Sequence, residues 1–375
     1  MTEYEWTDPD TFASVLERVE TREKGHFFED FEEGETIEHD PGLRLTRWGN
    51  ELWTSQTLNH DPFYWRADAA RERGQEETPI HPDYLLAATL GCTVEDLSEK
   101  GGYFLGRTNV QFPTDPVAPG IDLRVESEVL ETTRSNSRPE YGIVTWHTRG
   151  YDADTDRTLC AYERTNMIPR REPTEGLETD GGRADSSDNV SGSDGSDSSD
   201  EPDDQRTLPE TFVIPEGTAF EDFEAALERA PDRDTAVAYR HERGRTMDDL
   251  TVAGLPLATL NTAKQHHNVD VMADSPSGDI VTYGDVTRST ALGHARSDEQ
   301  TLREVRFTDE RFHTFVTPGD TVYCFTRVLE TSRETTTANE RAGTVHFEHV
   351  AFNQHDEPVY SGRRTAEIAT RDASN

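Results

Sequence analysis

"LLAATLG" at residues 85–91 is answered by "TRSTALG" at residues 287–293, a shift of 202 positions (287 − 85). Working outward from this pair, the whole chain reads twice. His39 and Gly42 of "HDPG" recur as His241 and Gly244 of "HERG", and "TLN" at 57–59 recurs at 259–261, both with the same shift. Downstream, "VQF" at 110–112 answers "VRF" at 305–307. "PG" at 119–120 answers "PG" at 318–319, and "VLETTR" at 129–134 answers "VLETSR" at 328–333 with a shift of 199 (328 − 129). Six matches in order, with offsets that change only at loops, mark an internal duplication.

Each copy has the same grammar. A first strand ("ETIEHD", "VAYRHE") leads into a polar stretch and then into an apolar helix ("HPDYLLAATLGCTVEDL", "GDVTRSTALGHA"). Long β-branched segments with period-two alternation follow: "DLRVESEVLETT", "GIVTWHTRGYDA" and "TLCAYERTNMI", answered by "TVYCFTRVLETS", "GTVHFEHVAFNQ" and "PVYSGRRTAEIA". Such alternation predicts an antiparallel sheet apolar on one face, with one helix per copy to cover it. The expected class is α+β, a curved sheet wrapped around a central helix, made twice. The N-terminal repeat spans 25–172 and the C-terminal repeat 208–371. Residues 173–207 between them are predicted to be a flexible linker, because "DSSDNVSGSDGSDSSDEPDDQ" (185–205) has almost nothing to bury.

Charge narrows the function. Against 37 Lys and Arg stand 75 Asp and Glu, a formal net charge of −38, which argues against nucleic acid or anionic membranes as partners. A content of 32% hydrophobic and 9% aromatic residues still supplies a core, so the acidity is read as a surface adapted to high salt. Cys92, Cys160 and Cys324 have no paired spacing, and no segment reads as a signal peptide or a membrane span. A soluble cytoplasmic protein is expected, open to homo-oligomerisation.

The layout resembles the hot-dog fold, and the block before each helix resembles the overhang of MaoC-like enoyl-CoA hydratases, whose motif has the form G-D-x-N-P-x-H. The blocks "FFEDFEEGETIEHDPG", "GRTNVQFPTDPVAPG" and "RFHTFVTPGDTVY" are most similar to the mesaconyl-CoA hydratases (β-methylmalyl-CoA dehydratases) of halophilic archaea. The resemblance implies a double hot-dog acting on an acyl-CoA thioester, hydrating mesaconyl-CoA reversibly in the methylaspartate route, with one working site in the second repeat. In the first repeat the motif falls on Asn59, Pro62 and Tyr64, with Pro82 at the helix-opening glycine; in the second it falls on Asn261, His266 and Gly284. The second repeat keeps the histidine and the glycine but has Asn in place of Asp.

Conjugate addition of water to an enoyl thioester needs a base, a donor for the enolate oxygen and an acid for the α-carbon. His266 is the predicted acid/base, Gly284 the predicted backbone donor, and Asn261 the group that positions water. A register shifted by one makes His267 the catalytic residue instead. Asp61 is the favoured carboxylate to complete a pair, with Asp270 and Asp285 read as structural. Lys264, Arg288 and Tyr64 are the predicted substrate contacts, Arg288 for a free carboxylate on the substrate. Arg303, Arg306, Arg363 and Arg364 are the arginines available for CoA phosphates. No metal and no cofactor beyond the CoA of the substrate is expected, since no H-x-x-x-H or C-x-x-C spacing supports zinc here. Two alternatives stand beside this reading: a hot-dog thioesterase, and a CoA-binding subunit without activity.

Overall fold

The alternating segments become strands in the computed structural model, which describes residues 5–172, 208–231, 234–336 and 341–374; the predicted linker 173–207 lies outside the described residues. The first repeat contributes β1 (Thr36–Arg44), β2 (Tyr103–Gln111), β3 (Asp122–Arg134), β4 (Tyr141–Asp152) and β5 (Thr158–Pro169). The second contributes β6 (Thr211–Val213), β7 (Thr235–Arg240), β8 (Arg245–Thr246), β9 (Thr301–Phe312), β10 (Thr321–Ser332), β11 (Ala342–Phe352) and β12 (Pro358–Ala369). They form one 12-stranded sheet in the order β1-β3-β4-β5-β2-β9-β12-β11-β10-β7-β6, with β8 beside β10. All pairings are antiparallel except β6 with β7. Outward from the β2–β9 seam, the two halves run in equivalent order.

The seam also settles the register of the duplication. Arg107 lies opposite Glu310 and Val110 opposite Phe307, so the two-fold relation equates residue 107 with 307 and 110 with 310. The "VQF"/"VRF" likeness is therefore a coincidence of composition and not a structural equivalence. Sequence periodicity assigned no strand to 103–111 or 301–312, and the backbone shows why. Asn109 and Asp309 both adopt positive φ (52° and 55°), and the pairing of both strands slips at these points, so alternation breaks. The pairs Leu58/Leu260 and Asp156/Asp356 repeat the same left-handed conformations, which non-glycine residues adopt only where the surroundings impose it.

Two central helices, Pro82–Cys92 and Gly284–Arg296, fill the concavity. Each is pressed against the other repeat. A Cβ on Gly91 would lie 2.0 Å from the carbonyl oxygen of Thr259, and one on Gly293 would lie 2.1 Å from that of Thr57. Only glycine allows the "TLG" helix of one copy to touch the "TLN" backbone of the other. A buried His in each repeat adds a second tie. His39 bridges Asp96 (2.6 Å) and Ser127 (2.9 Å), while His241 bridges Asp298 and Thr326. The arrangement has the residue types of a catalytic triad, but it occurs twice and both rings are sealed from solvent, so it serves as a clamp.

The second helix is unusual in burying Asp285, Arg288 and His294 with its apolar residues. Its charges are absorbed by a continuous chain: Asp285–Arg107–Glu310–Arg288–Asp83–Arg296–Glu304–Arg364–Glu299, with each contact between 2.5 and 2.8 Å. Burial by itself would raise Asp83 and Glu304, but Arg296 and Arg288 hold Asp83 far below the carboxylate range. Arg296 and Arg364 likewise hold Glu304 down to about 2. Arg288, expected to meet a substrate carboxylate, is instead fully enclosed, with Nε on Glu310 and Nη1 on Asp83, so two of its three nitrogens are committed to carboxylates of the protein while Nη2 is buried without a partner. Arg364 is enclosed in the same way and is not available to CoA phosphates. Arg306 donates to Asn109, and Arg303 and Arg363 lie near Glu367 and Asp309.

Two outcomes follow for stability. Gly91→Ala or Gly293→Ala should cost about 1–3 kcal/mol or more by overpacking against backbone, read as a lower denaturation midpoint in molar KCl. Arg288→Met should cost about 3–5 kcal/mol by stranding Glu310 and Asp83, with no selective effect on substrate affinity. A selective rise in KM with unchanged stability would restore Arg288 to the substrate pocket.

Candidate active site

The segment from Asn261 to His267 folds on its own short-range logic. Leu260 turns the chain at φ 62°, and the Oδ1 of Asn261 then accepts a hydrogen bond from the amide of Ala263 (3.1 Å). One 3-10 turn, Lys264–His266, follows and swings His266 inward until it is 4% exposed. Its Nδ1 lies 2.8 Å from the carbonyl oxygen of Val281. A carbonyl only accepts, so Nδ1 carries the hydrogen and Nε2 keeps its lone pair. Burial pushes the pKa of His266 down to about 4, against the opposing hydrogen bond to Val281 and with a smaller push from His267. At neutral pH the ring is an uncharged base whose Nε2 lone pair meets the side-chain amide of Gln265 at 3.4 Å.

The helix N-terminus stands beside it. Tyr283, the residue that opens the second central helix, has its ring centroid 5.4 Å from that of His266. Gly284 follows as the first helical residue, whose N–H has no partner within the helix. A Cβ there would come within 2.7 Å of the Phe312 ring, so the glycine serves packing as well as access. His266 thus packs on the residue that precedes Gly284, and Asn261 shapes the turn that carries His266. Tyr283 was not foreseen. Its signal lay in the repeat itself: the first copy has Tyr64 and His81, the second His266 and Tyr283, the same two rings in exchanged positions, with Tyr64 and His81 4.5 Å apart.

A cavity of about 1200 Å³ lies elsewhere, between the repeats, lined by residues that include Asn59, Asp61, Tyr64, His81 and Pro82 of the first and Arg296, Glu299 and Glu304 of the second. His266 does not border it. Pro82 at the helix start offers no N–H, and His81 Nδ1 is spent accepting from the amide of Asp83 (3.1 Å). Asp61, expected as the carboxylate partner of His266, belongs to this pocket. Its Oδ1 caps the amide of Phe63 (2.9 Å) and its Oδ2 lies 3.7 Å from Arg73, while burial raises its pKa against that arginine. Tyr64 also lies here, so as a substrate contact it could serve only this cavity.

The other candidates separate cleanly. His267 donates Nε2–H to the carbonyl of Thr262 (3.0 Å) and is half-buried. Lys264 and Asp270 are exposed, and Asp285 is committed to Arg107. Among the described residues no carboxylate hydrogen-bonds to His266, and no cluster of His, Cys, Asp and Glu has the grouping to hold a metal ion. The three cysteines are buried and unpaired, and no described helix is long and apolar enough to cross a membrane.

Comparison with known proteins gives the family and the fold. A mesaconyl-CoA hydratase of Haloarcula marismortui is 63% identical over 372 residues, covering 97% of this chain and 98% of the relative. Among solved structures, a MaoC-domain dehydratase of Chloroflexus aurantiacus superposes with a TM-score of 0.73 at 21% identity, covering 94% of this chain and all of that one. A double hot-dog protein of Mycobacterium tuberculosis superposes at 0.67 and 19% identity, covering 92% and 98%. The architecture is a double hot-dog. A family model for mesaconyl-CoA hydratase matches residues 5–370, and the chain belongs to that family.

Proposed function

We propose that this enzyme adds water reversibly across the double bond of mesaconyl-CoA to give β-methylmalyl-CoA, with His266 as its acid and base. The observation that carries this is the Nδ1–H bond from His266 to Val281, which leaves on Nε2 a lone pair that meets only a long contact from Gln265 (3.4 Å), next to Tyr283 and the helix start where the N–H of Gly284 lacks an intrahelical partner. The thioester oxygen rests on that N–H, where the helix dipole favours developing negative charge. Water sits between Nε2 of His266 and the side-chain amide of Asn261. As the water oxygen bonds to the β-carbon, His266 takes its proton and the π electrons move onto the thioester oxygen. The imidazolium then returns the proton to the α-carbon as the enolate collapses. Dehydration is the same path reversed. Asn261 holds water without exchanging a proton, so a single histidine handles both transfers. The three unpaired cysteines suit the cytoplasm, where we place the reaction.

A single cuvette tests the reaction class: with mesaconyl-CoA, enoyl-thioester absorbance should fall with no release of free thiol. Thiol release would establish a thioesterase, and no change would leave a binding role. His266→Ala should lower kcat by about 100-fold or more, while His267→Ala should stay within a few-fold; the reverse pattern would move the catalytic register by one.

Acidity gives a second readout. The acid limb of kcat/KM should lie near pH 4 and not near the ordinary histidine value of 6.5, because His266 is depressed in the free enzyme. His81, pushed down by burial to about 3, and His294, to about 4, are also held neutral in the fold. Between pH 6.5 and about 4 the unfolded chain takes up protons that the native state refuses, so stability falls with pH. The slope is about 1.4 kcal/mol per pH unit for each such histidine. Denaturation at pH 7 and pH 5 would show it; equal stability would contradict the buried neutral state.

A further inference from the structure

Arg164 on β5 is 2% exposed, and its Nε and Nη2 make no hydrogen bond. Its twin in the second repeat is Arg364 on β12, with the same register. Arg164 stands opposite Trp146 on β4, Arg364 opposite Phe347 on β11, and each guanidinium lies over that ring, at 5.2 and 5.3 Å. Arg364 is saturated by Glu299, Glu304 and Thr301. Carried across the two-fold, those three positions fall on Leu97, Phe104 and Gly101. Every partner of the twin has been replaced by an apolar side chain or by none. Asn166, two residues on and on the same face, also leaves its Oδ1 buried without a partner.

The place matters. Glu299, Glu304 and Thr301 border the cavity of Asn59, Tyr64 and His81. The two-fold therefore sets Leu97, Gly101 and Phe104 beside Asn261, His266 and Tyr283. Direct contacts agree: Thr262 donates to Glu99 (2.6 Å), and Phe104 packs on Phe312 (ring centroids 5.2 Å), the ring that covers Gly284. Tyr283 and Asp285, on either side of Gly284, belong to the electrostatic surroundings of Arg164, whose charged form burial disfavours. A guanidinium enclosed this far and left unpaired is costly unless a ligand completes it.

We infer that Arg164 receives a free carboxylate on the acyl group of the substrate, which takes the place that the Glu299 and Glu304 carboxylates occupy around Arg364. The inference rests on the proposed site at His266 and Gly284, and it makes Arg164 the residue that selects a dicarboxylic monothioester. A planar carboxylate matches the two free N–H groups, whereas a hydrated CoA phosphate does not fit so enclosed a position.

Binding separates this inference from the reaction itself. By calorimetry, the wild type should bind 2-methylsuccinyl-CoA on the order of 100-fold more tightly than 2-methylbutyryl-CoA, which lacks the carboxylate. Arg164→Gln should erase the ratio by weakening only the first ligand, and Arg164→Lys should restore part of it. Leu97→Glu, which supplies the carboxylate that the twin enjoys, should erase the preference with Arg164 in place, and so serves if Arg164→Gln does not fold. A wild-type ratio near one, equal weakening of both ligands in Arg164→Gln, or an unchanged ratio would overturn the inference. An intact preference without hydration of mesaconyl-CoA would sink the proposed reaction and leave Arg164 standing.

Discussion

The buried chain of alternating charge from Asp285 to Glu299 is the constraint on which the rest of the molecule depends. It passes through both central helices and crosses the β2–β9 seam, so neither repeat is electrostatically complete without the other. Taking five carboxylates and four guanidinium groups out of water is repaid only when each neighbour is in place. The relative position of the repeats is therefore set within narrow limits. That fixed position lays the first repeat's Glu99 and Phe104 against Thr262 and Phe312, beside the overhang and helix start of the second repeat.

From this common frame the two sites have parted. One has Pro82 at its helix start and arginines closed by Glu299 and Glu304; the other has Gly284, an uncharged His266 and an unclosed Arg164. The divergence is a matter of a few side chains on an unchanged backbone. Even the His and Tyr rings have been kept and merely exchanged between positions.

Much of this was legible in the sequence, since duplication, strand alternation and the motif around His266 are local patterns. What escaped was non-local. Arg288 looked like a free cation on a helix because its acceptors, Glu310 and Asp83, lie 22 and 205 residues away. Asp61 looked close to His266 in the aligned repeats, but the fold places it at the opposite pocket. β2 and β9 were hidden by the left-handed residues Asn109 and Asp309 that interrupt their alternation. Arg164 did have a signal, the loss of acidic residues at 97 and 104 relative to 299 and 304, but it appears only once the register of the seam is known.

The depth of Arg164 has a meaning for a chain with a net charge of −38. In molar salt the Debye length shrinks to about 3 Å, so surface fields neither attract nor repel an anionic metabolite beyond contact. Long-range steering is lost in such a medium, and discrimination between charged and neutral acyl groups has to be made where counterions cannot follow. A guanidinium only 2% exposed, lying over the Trp146 ring, is insulated in that way, so the enzyme can read one negative charge on a small molecule in a solution crowded with them.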